Sequence, residues 1–351
     1  MSRALRPSLQ RVLRKAFGDS ALTITRVDPM SGGFVSQSYC VTVRIAGKEQ
    51  KAFVKKAGGD FLGLERQEDR LSGYLLSQRA MDETHARPRA IGCFRSQPRG
   101  FVENISPLSA EDDLWQVQEY QAGERYLARL LSRSRRHIEK EDRDEIHAIV
   151  EGLVRVHQTK TGIRNPVQRA SLYRRALRDV LTHPEMTLMM FDQYLRKSRI
   201  LRGSFRDAYL IEMIRVAEHF GRHDRRLALV HGDFWMSNIL FDHKQRPFFI
   251  DYSRFVHGEP GMDVGEMYAA FVWLAFEHQN PYFQELARYF VDRYVRVSGD
   301  ALVRRTAVTY IGFTGAAVEA FCQHVPLATR RKFLQHIFKC LQARRLVSFS
   351  L

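Results

Sequence analysis

The sequence LVHGDFWMSNIL, residues 229–240, is the most informative segment of this chain. It begins and ends with an apolar run, and a polar loop that contains Asp233 and Asn238 lies between the two runs. The apolar run of residues 248–250 then ends at a second carboxylate, Asp251, thirteen residues after Asn238. One short segment therefore contains an Asp, an Asn five residues later, and an Asp at the end of a predicted strand.

These side chains are the groups that phosphoryl transfer requires. The reaction depends on positioning, on metal ions that neutralise phosphate charge, and on a carboxylate that orients the acceptor hydroxyl. We predict that Asp233 is the catalytic carboxylate and that Asn238 and Asp251 offer oxygen ligands to Mg²⁺. His231 is predicted to brace the loop through hydrogen bonds. An Asp in an isolated H-x-D triplet is usually solvated or a cap, so the prediction depends on the combined spacing.

The pattern HGDFWMSNIL, followed by FFIDYSRFVHGEPGMDVGE, resembles the aminoglycoside phosphotransferase and choline kinase superfamily. The resemblance covers roughly residues 21–275, judged by the order of the motifs. It implies a protein-kinase-like fold and a kinase that uses ATP and Mg²⁺ to phosphorylate a hydroxyl of a small molecule. It also implies structural support from Asp263, in a G-x-D-x-G stretch, and from His157, at the end of the helical sequence LVRVH.

Part of a nucleotide site is implied by the same resemblance. The sequence AFVK, residues 52–55, resembles the strand whose lysine grips the α- and β-phosphates. Lys56 is adjacent, but it would point to the opposite face of the strand, so Lys55 is preferred. Glu68 is expected to pair with that lysine, and Glu65, one turn earlier on the same predicted helix, is the alternative.

The phosphates are expected to be covered by the loop SGGFVS, residues 31–36, between the first two predicted strands. Gly32 and Gly33 would allow close backbone approach, and Ser36 stands where the family frequently has Asn. Adenine is expected to be held by backbone groups of a hinge formed by Glu119 and Tyr120. The order of these motifs along the chain is stronger evidence than any one of them alone.

Hydrophobic periodicity divides the chain into two parts. Before Gly123, alternating stretches predict strands around one main helix over residues 61–79, whereas most of the later sequence has helical periodicity. We therefore predict an α+β, two-lobed fold. Residues 1–122 would form a small antiparallel-sheet lobe, and residues 123–351 a larger, mainly helical lobe. The basic N-terminus is predicted to be a packed helix, because Leu9, Val12, Leu13, Ala16 and Phe17 fall on one face.

The composition of the chain indicates which classes of binding partner and which cellular compartment to expect. The 55 Lys and Arg exceed the 39 Asp and Glu by 16, which favours anionic partners. No nucleic-acid-binding motif is present, so a nucleic-acid partner is disfavoured. The charge nevertheless motivates one alternative, a non-catalytic nucleotide- or RNA-binding protein that has kept a kinase fold. Because no run of 18 uncharged apolar residues exists, no membrane span is expected. The four cysteines contain no C-x-x-C pair and are typical of a cytoplasmic protein.

The hydroxyl acceptor is constrained by charge. Residues 252–351 contain 12 Lys and Arg against 8 Asp and Glu. A polycationic antibiotic would require an acidic pocket, so this balance weakens the prediction of such an acceptor and makes a neutral or anionic metabolite, sugar or lipid-linked glycan at least as well supported. The acceptor classes that stay open are a sugar, an amino alcohol, a glycan and an antibiotic-like compound.

Overall fold

The computed structural model describes residues 5–30, 36–57, 90–97, 100–102, 113–159, 161–182, 187, 189–251 and 257–351. The predicted helix over residues 61–79 lies outside them. The chain divides into two compact units, Met1–Gly123 and Glu124–Leu351. An antiparallel sheet dominates the first unit and helices dominate the second, which confirms the α+β prediction.

The first unit is built on one antiparallel sheet. Among the described residues its strand order is β1-β2-β3-β6-β4-β5, and every neighbouring pair is antiparallel. The turn between β2 and β3 is made by Ala46 and Gly47, both with positive φ, which is the backbone that a tight hairpin requires. The strands are β1 (Thr23–Met30), β2 (Ser36–Ile45), β3 (Lys48–Ala57), β4 (Ala90–Gln97), β5 (Gly100–Val102) and β6 (Asp113–Glu119).

Helix α1 (Leu5–Phe17) covers one face of this sheet. Its apolar side chains Leu9, Val12 and Leu13 are fully buried in a core that also contains Val54 and Trp115. Three- and four-residue spacing places the apolar side chains on one side of the helix, so the arginines between them remain at the surface. The prediction of a packed N-terminal helix is confirmed.

The second unit is mainly helical. Helices α6 and α9 are buried along almost their whole length and form its centre. Helix α7 (Pro281–Ser298) is preceded by its N-cap Asn280, whose side chain accepts the Tyr282 N–H, and is followed by its C-cap Gly299 with φ 73°. The α-helices are α2 (Tyr126–Leu131), α3 (Lys140–Gln158), α4 (Pro166–Thr182), α5 (Gly203–Phe220), α6 (Gly261–His278), α7 (Pro281–Ser298), α8 (Val303–Thr306), α9 (Val308–Phe321) and α10 (Leu327–Ala343); a π-helix, Met189–Leu195, precedes α5.

Short strands of the second unit frame the segment that the sequence singles out. Strand β8 (Ala228–Leu229) pairs with β11 (His257–Gly258), and β9 (Ile239–Phe241) lies between β10 (Pro247–Phe249) and β7 (Glu124–Arg125). The polar loop after β8 is thereby held between paired strands, and Ile250 and Asp251 directly follow β10. Within the described parts of the chain, no helix combines the length and apolar character needed to cross a bilayer.

Candidate active site

The loop between β8 and β9 is held by a buried carboxylate from helix α6. Asp263 Oδ2 accepts the backbone N–H of His231 at 2.7 Å, and Oδ1 accepts that of Gly232 at 2.8 Å. Gly232 has a φ of 76°, a left-handed backbone that glycine adopts without a steric penalty. Because Asp263 lies in the first turn of α6, its negative charge is also favoured by the helix dipole.

A histidine and a tyrosine complete the surroundings of Asp263. Nε2 of His157, near the end of α3, lies 2.9 Å from Asp263 Oδ2, and Nδ1 lies 2.7 Å from the Tyr294 hydroxyl of α7. Burial acts to raise the pKa of Asp263, but the hydrogen bond and charge of His157, with a contribution from His231, lower that pKa below its usual value. The carboxylate is therefore held ionised, with three hydrogen-bond donors from two parts of the chain.

The His231 ring connects the loop to the end of β10. Its Nε2 lies 2.9 Å from the Ile250 carbonyl oxygen, and its Nδ1 accepts the Asp233 N–H at 3.2 Å. A neutral imidazole with its proton on Nε2 satisfies both hydrogen bonds. The ring thus spans the distance between the backbone of Asp233 and the residue that precedes Asp251.

Asp233 and Asn238 are joined directly. The Asn238 Nδ2 donates to Asp233 Oδ2 at 3.0 Å and to the Asp233 carbonyl at 2.9 Å. A short 3₁₀ turn, Met236–Asn238, makes this possible, because it folds the chain back within five residues. The Asn238 carbonyl also accepts the Ile250 N–H at 2.9 Å, so Asn238 is tied to both loops.

Asp251 follows β10 at the point where the chain leaves the sheet. Its φ of 65° is left-handed, a backbone that few residues other than glycine, Asn and Asp adopt. Such strain persists only where the surroundings enforce it, and it occurs preferentially at functional sites. Asp251 is thereby placed one residue from the backbone bond that links Asn238 to Ile250.

The side chains of Asn238 and Asp251 carry oxygen atoms of the kind that Mg²⁺ prefers as ligands. Since the Asn238 amide nitrogen faces Asp233, its oxygen is turned to the other side, and Asp251 adds a carboxylate. Mg²⁺ is usually held by one or two protein oxygens together with substrate phosphates and water. The described residues contain no cluster of three or more His, Cys, Asp or Glu arranged to hold a metal by themselves, and a phosphate-dependent site does not need one.

Two residues that support this site, Glu266 and Tyr294, were not predicted from the sequence. Glu266 Oε2 accepts the Phe234 N–H at 2.7 Å, so the residue after Asp233 is tied to α6 as well. Its spacing from Asp263 was a usable signal, because residues three apart share one face of a helix. Tyr294, which supports His157, lies 137 residues away from it in sequence, and no local pattern indicates that contact.

A cluster of buried charges adjoins the site. Glu259 is fully buried and accepts hydrogen bonds from Arg226 Nε at 2.9 Å and from the Tyr173 hydroxyl at 2.5 Å. Arg226 also donates to Asp300 at 2.6 Å and 2.7 Å. Arg226 stands two residues before β8 and Glu259 directly follows β11, so the buried ion cluster (Tyr173, Arg226, Glu259 and Asp300) clamps one end of the paired strands.

The lysine that is predicted to contact the nucleotide phosphates lies on β3. Ala52 and Val54 are buried in the core beneath α1. Alternation therefore places Lys56 on that face and Lys55 on the other. Lys56 also lies over the Trp115 ring, 5.4 Å from its centroid.

The structure describes some of the residues that are predicted to form the hinge and the phosphate-covering loop. Glu119 is exposed at the end of β6, and Tyr120 is the residue after it, with Lys51 5.4 Å from its ring centroid. Ser36 pairs with Ala57 at the start of β2. The other residues predicted to contact the nucleotide or its lysine lie outside the described residues: Gly32, Gly33, Glu68 and its alternative Glu65.

Comparison with known proteins identifies the family. Similar solved structures include the ethanolamine kinase Pv091845 of Plasmodium vivax, with TM-score 0.55, 12% identity, and coverage of 96% of this chain and 86% of that one. Another is the apo form of a thermostable mutant of the aminoglycoside phosphotransferase APH(4)-Ia, with TM-score 0.52, 11% identity, and coverage of 95% and 98%. At these identities the likeness shows a shared fold. No curated protein matches the sequence significantly. The sequence model of the phosphotransferase enzyme family matches residues 67–299, and the chain therefore belongs to that family and is a kinase.

Proposed function

We propose that this protein transfers the γ-phosphoryl group of ATP, with Mg²⁺, to a hydroxyl group of a small molecule in the cytoplasm. The observation that carries the proposal is the hydrogen bond between Asn238 and the Asp233 carboxylate, on a loop held by Asp263. The two structures of similar fold are named as an ethanolamine kinase and an aminoglycoside phosphotransferase. Both names describe transfer to small molecules.

Each residue of the site has a distinct role in the proposed reaction. Asp233 orients the acceptor hydroxyl and receives its proton as the acceptor oxygen bonds to the γ-phosphorus. The bond between that phosphorus and the β–γ bridging oxygen breaks, and ADP leaves with the electron pair. Asn238 and Asp251 would hold Mg²⁺, which when bound neutralises charge on the phosphates.

Residues outside the loop would hold the nucleotide and keep the loop in place. Lys55 would contact the α- and β-phosphates with Glu68 as its partner, the loop with Gly32, Gly33 and Ser36 would cover them, and Glu119 and Tyr120 would hold adenine through backbone groups. His231, Asp263 and His157 would support the loop without contacting substrate.

The charge of the helical unit favours a neutral or anionic acceptor. Residues 161–226, which contribute α4 and α5, contain 14 Lys and Arg against 7 Asp and Glu. Such a surface attracts anions and repels polycations. A sugar, an amino alcohol with a compensating anionic group, or a glycan fits this field better than a polycationic antibiotic.

The test is ADP release against a panel of small hydroxyl compounds, measured with wild type and Asp233→Asn. We expect the variant to lose about 10²- to 10⁴-fold in turnover, the usual effect of removing a general base. It should still bind Mg-ATP, seen as a rise in melting temperature. Asp144→Asn, the same change at an exposed position on α3, is the matched control and should be as active as wild type.

Two outcomes would contradict the proposal. Full turnover of the true acceptor by Asp233→Asn would remove Asp233 from its role. Salt-sensitive RNA binding without any effect of Mg-ATP on melting would instead support the non-catalytic alternative.

A further inference from the structure

A groove of about 600 Å³ lies at the junction of the π-helix Met189–Leu195 and α5, in a part of the second unit that supplies none of the catalytic or metal-binding residues proposed above. Its lining combines apolar side chains with arginines and a single carboxylate. At its edge, Phe191 keeps 44% of its surface exposed although it is a large aromatic residue. We name this the basic-apolar groove; its lining residues are Phe191, Leu195, Arg196, Leu201, Arg202, Gly203, Arg206, Asp207 and Leu210.

Local hydrogen bonds shape the turn on one side of the groove. The buried Ser198 hydroxyl oxygen accepts the N–H groups of Ile200 at 3.1 Å and Leu201 at 2.8 Å. Arg202 Nε donates back to the Ser198 carbonyl at 3.0 Å. The chain reverses here within a few residues, and Gly203 starts α5 with a φ of 53°. These hydrogen bonds fix the backbone that forms one wall of the groove. They also hold the Arg202 side chain close to the apolar lining.

The apolar surface continues along α5 beyond the groove. Ile211 and Ile214 are 46% and 51% exposed, and their spacing places them on one side of the helix with Leu210. The opposite side of α5 buries Tyr209, Met213 and Val216 in the interior of the unit. Because α5 already has a buried face, this second apolar stripe does not serve the core. Exposed apolar side chains that are contiguous are typical of an interaction surface.

Positive charge surrounds this stripe. Residues 189–215 contain six Lys and Arg against three Asp and Glu. Two of the three acids are already paired, Asp207 with Arg206 at 2.9 Å and Glu212 with Arg215 at 2.6 Å. The basic residues are Arg196, Lys197, Arg199, Arg202, Arg206 and Arg215, so the surface as a whole is complementary to an anionic partner.

We propose that this face docks onto the surface of a lipid bilayer that contains anionic lipid. Its arginines would contact headgroup phosphates, and Phe191, Ile211 and Ile214 would enter the boundary between headgroups and acyl chains. A basic rim around exposed apolar side chains is the pattern of proteins that lie on membranes. Nucleic acid would satisfy the arginines, but it offers no apolar layer for the isoleucines. The docking would leave the chain peripheral, and it does not depend on the role of Asp233.

The test is co-sedimentation of the full chain with vesicles of phosphatidylcholine alone and with about one third phosphatidylglycerol. We expect binding to the anionic vesicles that weakens with added salt. Replacing Arg196, Arg202 and Arg206 by Gln should lower the partition coefficient about a hundredfold, at roughly fivefold per basic residue. The pair Ile211→Ser and Ile214→Ser should lower it about tenfold, because less apolar surface is removed from water.

Matched control variants distinguish the loss of this particular surface from a general change in net charge and from unfolding. Replacing Arg143, Arg155 and Arg296 by Gln removes the same charge from exposed positions on α3 and α7. Val167→Ser removes an apolar side chain that is 76% exposed on α4. Both should bind vesicles as wild type does, and all variants should keep the wild-type melting temperature and ADP release.

Several results would overturn the proposal. One is equal binding to neutral and anionic vesicles, and another is an equal loss in the control arginine triple. A third is unchanged binding in the isoleucine variant. Binding of RNA or of a protein through these residues, without binding to anionic vesicles, would show that the occupant is of another class.

Discussion

At the scale of single residues, Asp263 connects the most distant parts of the site. Its two oxygens accept two backbone N–H groups of the loop and face His157 of α3. An ionised carboxylate can accept several hydrogen bonds at once, and each is strengthened by the charge. Asp233 is oriented by this arrangement, since the Asp263 bonds hold the two residues that precede it.

We predict that Asp263→Asn destabilises the fold and removes activity. The amide keeps one accepting oxygen, but its NH₂ group would face a backbone N–H, which leaves buried donors unsatisfied. The expected loss is about 3–5 kcal/mol of unfolding free energy at neutral pH, the usual cost of breaking a buried charged network. Urea unfolding at pH 7 measures it. Asp144→Asn, on the exposed side of α3, is the control and should change stability little.

The contact between Asp263 and His157 predicts that stability depends on pH. Because the folded-state pKa of Asp263 is lowered, its contribution to stability is complete above the unfolded value of about 3.9. It declines as the pH falls from there through the folded pKa. The difference in unfolding free energy between wild type and Asp263→Asn should therefore be largest near pH 7 and shrink by pH 3. A difference that stayed constant across this range would mean that the carboxylate is not held ionised.

At the scale of elements, helix α6 meets the turn before α9 at glycine positions. An added Cβ at Gly265 would overlap the carbonyl of Ala307, and a Cβ at Gly261 would overlap the backbone of Thr306. Close approach here places the first two turns of α6, with Asp263 and Glu266, against the interior. The glycines are required by helix contact, because neither has a positive φ.

We predict that Gly265→Ala lowers stability by about 1–3 kcal/mol or more, since backbone atoms would have to move. Gly221→Ala is the matched control. The new methyl group there meets Ala217 and Glu218 carbonyl oxygens at 3.4 Å, which is an ordinary contact, and the backbone is right-handed helical. That variant should be neutral or slightly stabilised, because alanine restricts the unfolded chain. Thermal melting of both variants would show the opposite signs, and equal effects would contradict the packing argument.

A second element-scale contact is the clamp at the end of β8 and β11. Arg226→Met would leave the buried Glu259 carboxylate with the Tyr173 hydroxyl and the Gly261 N–H but without its cation. We expect a loss of about 3–5 kcal/mol in unfolding free energy, measured in urea. Arg225→Met, at the exposed neighbouring position, should have little effect. Adding Glu259→Gln to Arg226→Met should recover part of the loss, and a purely additive result would argue against direct coupling.

At the scale of the whole molecule, the two units have separate interiors. Helix α1 and the sheet enclose one, and α6 and α9 form the centre of the other. The proposed catalytic and metal-binding residues and the carboxylate that supports their loop, from Asp233 to Asp263, all lie in the second unit. Loss of packing in the first unit should therefore affect nucleotide binding before it affects the frame of the catalytic loop.

We predict that Leu13→Ala, which removes a fully buried side chain, destabilises the first unit by about 2–5 kcal/mol. Hydrogen exchange should become faster in amides of β2 and β3, while those of α6 exchange as in wild type. Arg11→Ala, on the exposed side of α1, is the control. Equal acceleration in both units would show that they unfold as one cooperative body.

The family, the fold class and the position of α1 could all be predicted from the amino-acid sequence. The sequence also indicated the short segment that contains Asp233, Asn238 and Asp251, whose roles stay predictions. These features are readable because they depend on local chemistry: periodicity selects a helix or a strand, and close spacing keeps the polar groups within one or two loops.

The distant residues that support that segment became visible only in the folded chain. Asp263 reaches back 31 and 32 residues to the loop, His157 meets Asp263 across 106 residues, and Arg226 meets Asp300 across 74. The same is true of the basic-apolar groove, where the π-helix and α5 meet. Such contacts depend on how helices pack against one another, and neither the periodicity of one helix nor the chemistry of one side chain specifies its partner in another element.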